Sequence, residues 1–149
     1  MAHIVNLMEN SQEVVLEKVM MALKNSNVAI VPTDTVYGIV CDGKNDFAKE
    51  NLYILKNRPE SKPLIGFTKD MEMAKKVAHI SENFLPFITK RWPGRNTFIF
   101  QSKIESNHIV GKDKTIALRI PDYSFINNLC DSFPMLASTS ANVSFSKSA

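Results

Sequence analysis

The chain has 149 residues, of which 44% are hydrophobic and 22% charged, and its net charge is +3. That length suits one domain whose core needs neither disulfides nor a structural metal, and no apolar run approaches membrane-spanning length. The mildly basic balance fits an anionic substrate or RNA, and fits plain solubility as well. Cys41 and Cys130 lie far apart and form no CxxC pair, so they read as reduced core thiols of a cytoplasmic protein. The first six residues carry no charged-then-apolar signal, and Glu9 and Glu13 argue against a transit peptide.

In chain order, Asn10 with Glu13 reads as a helix start, after which Val15, Val19, Met20 and Leu23 recur at helical spacing. The β-branched run 28–31, ended by Pro32, predicts a buried strand. A polar connector through residues 33–38 leads to a second short strand at 39–41. Residues 47–55 have helical periodicity and deliver the chain to a cationic segment at 56–63. Residues 64–67 are strand-like, and 71–78 and 82–91 read as helices, the second broken by Trp92, Pro93 and Gly94. Strands are expected at 97–100, 115–120 and 135–138, with a short helix at 125–130. This alternation of helices with short apolar strands indicates an α/β layered fold.

Three stretches carry candidate chemistry. Lys56, Arg58 and Lys62 fall within seven positions, and Pro59 and Pro63 stiffen the segment that bears them. Such a connector can act as a fixed phosphate clamp, or it can be an ordinary charged loop. In the strand at 115–120, Thr115, Ala117 and Arg119 share one face, and Ile116, Leu118 and Ile120 form the apolar other. Arg119 therefore meets water or a ligand, where it makes a surface salt bridge or grips a carboxylate through two parallel hydrogen bonds. Ser138 and Ser140 follow an apolar strand and would share a face if the run stays extended, at the place where α/β sheets bind ligands, although this segment alone favours a plain loop with Ser or Asx turns. Thr33 and Asp34 have the same strand-end placement and can be turn or capping residues, and Tyr37 can be core packing. No GxxxxGK[ST] loop is present, and His3, His79 and His108 show neither metal spacing nor a triad. The chemistry then needs no histidine base and no protein-bound zinc.

Together the segments Pro32-Thr33-Asp34-Thr35-Val36-Tyr37-Gly38, Lys56-x-Arg58-Pro59-x-x-Lys62-Pro63-Leu64, Trp92-Pro93-Gly94-x-x-Thr97, Ala117-Leu118-Arg119-Ile120-Pro121 and Ser138-Thr139-Ser140-Ala141-Asn142 resemble the YrdC-like family of threonylcarbamoyl-AMP synthases. The likeness runs from about residue 10 to residue 144, with the five motifs in the family's order. It implies an α/β fold of YrdC/RibB-like type, an open twisted mixed sheet flanked by helices. A single domain over 1–149 is expected, without the family's usual C-terminal segment. The implied reaction joins L-threonine, bicarbonate and ATP into threonylcarbamoyl-AMP with release of pyrophosphate. The product would serve tRNA threonylcarbamoyladenosine formation, through a downstream threonylcarbamoyl-transferase machinery. By the same resemblance Arg58, Lys62, Thr115 and Ser140 would contact ATP, with Lys56 and Arg58 as the catalytic cations. Thr35, Arg119 and Ser138 would hold threonine, Asn142 would support that wall, and a magnesium ion would accompany ATP. The chain departs from the family's pattern at Arg95, where Pro is usual, at Phe67, often polar or basic, and at Phe145, commonly Gly. A competing reading is a double-stranded RNA or tRNA binding module, with Lys44, Lys49, Lys90, Arg91 and Arg95 on a basic face; a truncated inactive paralogue is a third.

Overall fold

The computed structural model describes residues 11–141. Helix α1 (Gln12–Lys24) starts at Ser11, whose hydroxyl accepts from the Val14 N–H at 3.3 Å. The start expected at Asn10 lies outside the described residues. Strands β1 (Ala29–Val31) and β2 (Gly38–Asp42) follow, then α2 (Asp46–Lys56), which Asn45 caps through the Ala48 N–H. Asn57 ends α2 in the left-handed region, a conformation that asparagine tolerates, and so turns the chain into the cationic segment. Next come β3 (Ile65–Phe67), α3 (Met71–Val77) and β4 (Ala78–His79).

The helix expected over 82–91 is two pieces. A 3-10 turn at Glu82–Phe84 precedes α4 (Leu85–Thr89), because Pro86 suits the first turn of a new helix better than the middle of a longer one. Strands β5 (Phe98–Ser102) and β6 (Thr115–Arg119), helix α5 (Ser124–Cys130) and strand β7 (Leu136–Ser140) complete the described chain.

The seven strands form one open sheet in the order β1-β2-β7-β3-β6-β5-β4. Only β3 and β6 run parallel; the other neighbours are antiparallel, so the sheet is mixed, as expected. The run 28–31, expected to be buried, supplies an edge strand instead. Among the described residues β1 pairs with β2 alone, and Ile30 is 61% exposed.

Period-2 alternation divides the sheet between two cores. Ile39, Cys41, Ala137, Ile116 and Leu118 face one side, where Ala48 and Leu52 of α2, Ala74 of α3 and Ile88 of α4 cover them. On the other side Val40, Leu136 and Phe67 pack with Val15 and Leu23 of α1 and Phe125, Ile126 and Leu129 of α5. These two helices cover only part of their face. Beyond them Ile65, Ser138, Ser140 and Gly38 line an open hollow, and Ile99 is 70% exposed.

Candidate active site

Two loops and four strands build the hollow, which encloses about 220 Å³. The floor comes from β3 and β7 through Ile65, Phe67, Ser138, Thr139 and Ser140. Continued pairing of β7 with β2, Val40 opposite Ser138 and Gly38 opposite Ser140, keeps this strand extended, so the two serines share a face as the sequence requires.

The loop between β1 and β2 forms one wall. Thr33 folds it locally: its hydroxyl donates to the Val36 carbonyl at 2.6 Å and accepts from the Thr35 N–H at 3.1 Å. Thr33 is thus the turn residue, and the turn sets Thr35, Val36 and Tyr37 along the hollow.

Arg119 closes one end. Its side chain is 6% exposed and ion-paired with Asp34, itself 11% exposed. Nε donates to the Gly94 carbonyl at 3.2 Å, and Nη2 reaches the Thr35 hydroxyl at 3.4 Å. The guanidinium lies 5.3 Å from the centre of the Phe67 ring. Asp34 spends its second oxygen on the Asp122 N–H at 2.9 Å. Burial pushes the Asp34 carboxyl up, but the Asp122 N–H and the Arg119 guanidinium together outweigh it and hold the group below its ordinary value. The sequence offered Arg119 water or a ligand; the structure gives it an internal carboxylate.

Arg58 does not itself line the hollow but binds Thr139, which does. Nη1 donates to the Thr139 hydroxyl at 3.1 Å, Nε to the Lys62 carbonyl at 3.1 Å and Nη2 to the Pro63 carbonyl at 2.8 Å. All three acceptors are neutral, so the positive charge of Arg58 stays uncompensated while its position is fixed. The Lys62 carbonyl also accepts from the Tyr53 hydroxyl, which pins the peptide and leaves the Lys62 side chain exposed. Lys56, at the end of α2, is buried; burial and then the neighbouring Arg58 charge pull its ammonium below the ordinary lysine value.

Thr35, Arg119, Ser138 and Ser140 therefore meet in one hollow, with Arg58 anchored to its wall. Thr115 shares the sheet face of Arg119 but stands four residues, about 13 Å, along β6. It does not line the hollow, and its hydroxyl donates to Asp113 at 2.6 Å. Asn142 lies outside the described residues. Arg95 and Thr97 line the hollow although the motifs gave them no role in it, Phe67 lines it beside the residues expected to hold threonine, and no sequence spacing marks Asp34 as the partner of Arg119.

A larger cavity of about 700 Å³ opens between α2 and α3 and contains none of these residues. Lys49, placed by the sequence on a basic face, is buried there: its ammonium donates to the Ser106 hydroxyl at 3.0 Å and pairs with Asp46 at 3.2 Å. Arg91 lies 3.6 Å over the Phe87 ring and donates to the Phe87 carbonyl at 3.0 Å. These contacts withdraw two of the five cations assigned to an RNA-binding face. Among the described residues no helix is long and apolar enough to cross a membrane.

The Sua5/YciO/YrdC family model, described as telomere recombination, matches residues 21–149. A threonylcarbamoyl-AMP synthase of Vibrio vulnificus is 33% identical over 134 residues, which span 87% of this chain and 72% of that protein. A solved structure of a double mutant of P. abyssi Sua5 superposes with a TM-score of 0.87 at 26% identity, covering 97% of this chain and 43% of that one. P. abyssi Sua5 complexed with L-threonine gives a TM-score of 0.79 at 25% identity, covering 88% of this chain and 39% of that one. The chain thus spans less than half of the solved Sua5 chains.

Proposed function

The chain belongs to the Sua5/YciO/YrdC family, and from that premise we propose that it is an L-threonylcarbamoyladenylate synthase, a nucleotidyltransferase using L-threonine, bicarbonate and ATP. One observation carries the reading: Thr35, Arg119, Ser138 and Ser140, from three separate segments, converge on a hollow beside the anchored cation Arg58. Its 220 Å³ suits an amino acid and falls below the roughly 300–1,000 Å³ of pockets that enclose drug-sized ligands. The triphosphate then lies outside it, along the open sheet face toward Arg58, Lys62 and Thr115.

The chemistry asks little of a general base. The threonine amine nitrogen bonds to the bicarbonate carbon as a C–O bond breaks and water leaves, giving threonine carbamate, whose carboxylate oxygen is already ionised. That oxygen forms a bond to the α-phosphorus as the bond from α-phosphorus to the bridging oxygen breaks and pyrophosphate departs. The demands are in-line positioning and positive charge against the phosphoryl oxygens. Thr35, Ser138 and Arg119 hold the amino-acid end. Arg58 and Lys62 face the phosphates, Lys56 adds charge behind them, and Ser140 and Thr115 offer hydroxyls.

Magnesium accompanying ATP would share the neutralisation of phosphate charge. Among the described residues the hollow has no uncommitted carboxylate, since both oxygens of the neighbouring Asp34 are taken. Phosphate oxygens and water would therefore be its main ligands, with the Ser140 hydroxyl nearby. The product would pass to tRNA through a threonylcarbamoyl-transferase.

The test is pyrophosphate release from ATP by the purified chain. Release that requires both threonine and bicarbonate supports the reading; release indifferent to threonine overturns it.

A further inference from the structure

The charges around the hollow do not balance, and the imbalance points to one residue. Among the described residues two charged side chains line it, Arg95 and Arg119. Arg119 is neutralised within the protein: it pairs with Asp34, and its Nε is spent on the Gly94 carbonyl. Arg95, the residue after Gly94, is exposed and among the described residues makes no hydrogen bond or ion pair. The uncompensated charge lining this hollow is therefore that of Arg95.

We propose that Arg95 is the carboxylate-binding residue of the hollow and receives the α-carboxylate of the amino-acid substrate. The inference rests on the amino-acid reading above. Position favours the amino acid over the phosphates. Phe98 pairs with Leu118 across β5 and β6, so Thr97 continues the strand opposite Arg119 and sets Arg95 at that end. Arg58 approaches from the α2–β3 connector, through Thr139 on β7. Chemistry agrees as well. An arginine with an uncommitted planar edge takes a carboxylate through two parallel charge-assisted hydrogen bonds, whereas Arg119, with Nε and Nη2 already engaged, keeps only Nη1 for a single contact with the amino acid.

Calorimetry on the full chain separates the possibilities, with L-threonine, L-threonine amide (the same molecule without the carboxylate) and ATP as ligands. Arg95→Gln is expected to weaken L-threonine about five- to tenfold and to leave the amide and ATP within twofold; Arg95→Lys recovers part of the loss. Equal weakening of threonine and its amide, a threonine change under twofold, or a loss confined to ATP overturns the assignment. If the wild-type chain binds threonine and Arg95→Gln changes nothing, only the role of Arg95 falls. If the wild-type chain does not bind threonine, the amino-acid reading falls and takes this inference with it.

Discussion

Arg119 and Asp34, 85 positions apart, form a buried ion pair that closes one end of the hollow. The pair joins β6 to the β1–β2 loop, and its outer contacts extend the tie to Gly94 and to the Asp122 N–H. Four segments that could each move independently are held by one guanidinium and one carboxylate. The hollow is shaped by this knot before any ligand arrives.

Breaking it from either side leaves a buried charge without its partner. Arg119→Ala is expected to cost about 3–5 kcal/mol, and Asp34→Asn a comparable though smaller amount because the amide oxygen can still accept from Asp122. The pH dependence fixes the sign. The folded-state pKa of Asp34 is depressed, so the pair's contribution is present above the unfolded carboxyl value of about 3.9 and is lost as pH falls through the folded value. Urea melts of wild type and Asp34→Asn should differ fully at pH 7 and converge in strong acid. A gap that stays constant down to pH 2 would assign the stabilisation to packing rather than to charge.

Arg58 presents the opposite case, a cation held by neutral acceptors. Arg58→Ala should lower threonine-dependent pyrophosphate release about 100-fold, on the scale of losing one group that stabilises transition-state charge. Stability should fall only by about 1 kcal/mol, because the Lys62 carbonyl keeps its bond from Tyr53. Arg58→Lys keeps the charge but cannot reach the Lys62 and Pro63 carbonyls and the Thr139 hydroxyl together, so it should recover little activity. Steady-state rates with a parallel melting curve distinguish these outcomes. Full activity in Arg58→Lys would reduce the residue to a point charge.

What the sequence made legible was local. Alternation in β6 placed Thr115 and Arg119 on one face because strand period is a backbone property. The extension of β7 through Ser140 was not legible, since the sequence ended that strand at 138 and its small hydroxyl residues favoured a loop; pairing with β2 keeps the run extended. The pairing of Asp34 with Arg119 was not, since nothing in spacing links residues that only the sheet brings together. Lys49 misled because a lysine in a charged helix reads as solvated, yet Asp46 and Ser106 supply the partners that let it be buried. Two-residue β4 is too short to leave a periodic signal. The motifs identified the hydroxyls and cations of the site but gave Arg95 and Thr97 no role in it; their place in the hollow follows from how the Gly94 loop meets β6, and that of Phe67 from the pairing of β3 with β6.

Cys41 and Cys130 should be chemically silent in the folded protein. Burial pushes each thiol up to about 12, so at pH 8 only about one molecule in 10⁴ carries the reactive thiolate. Mass spectrometry after alkylation should find neither cysteine labelled in buffer and both labelled in denaturant. Rapid labelling of Cys130 in buffer would show that α5 opens on its own.

Gly43 and Gly66 test how closely the strands approach. A Cβ at Gly43 would lie 2.5 Å from the Met135 carbonyl oxygen, a backbone atom that already accepts from the Gly43 N–H at 2.9 Å. A Cβ at Gly66 would lie 2.8 Å from the Met135 sulfur and 2.9 Å from Leu118 Cδ2, both ends of side chains that can turn away. Gly43→Ala should therefore destabilise by about 2–3 kcal/mol or more, and Gly66→Ala by about 1 kcal/mol. The first change also displaces the entry to β7, which carries Ser138 and Ser140, so threonine affinity should fall with stability in Gly43→Ala and hold in Gly66→Ala. Thermal melts and threonine titrations of the two variants check both statements. The reverse order of stability would mean that the Gly43 turn relaxes more easily than the packing of Met135 against Leu118.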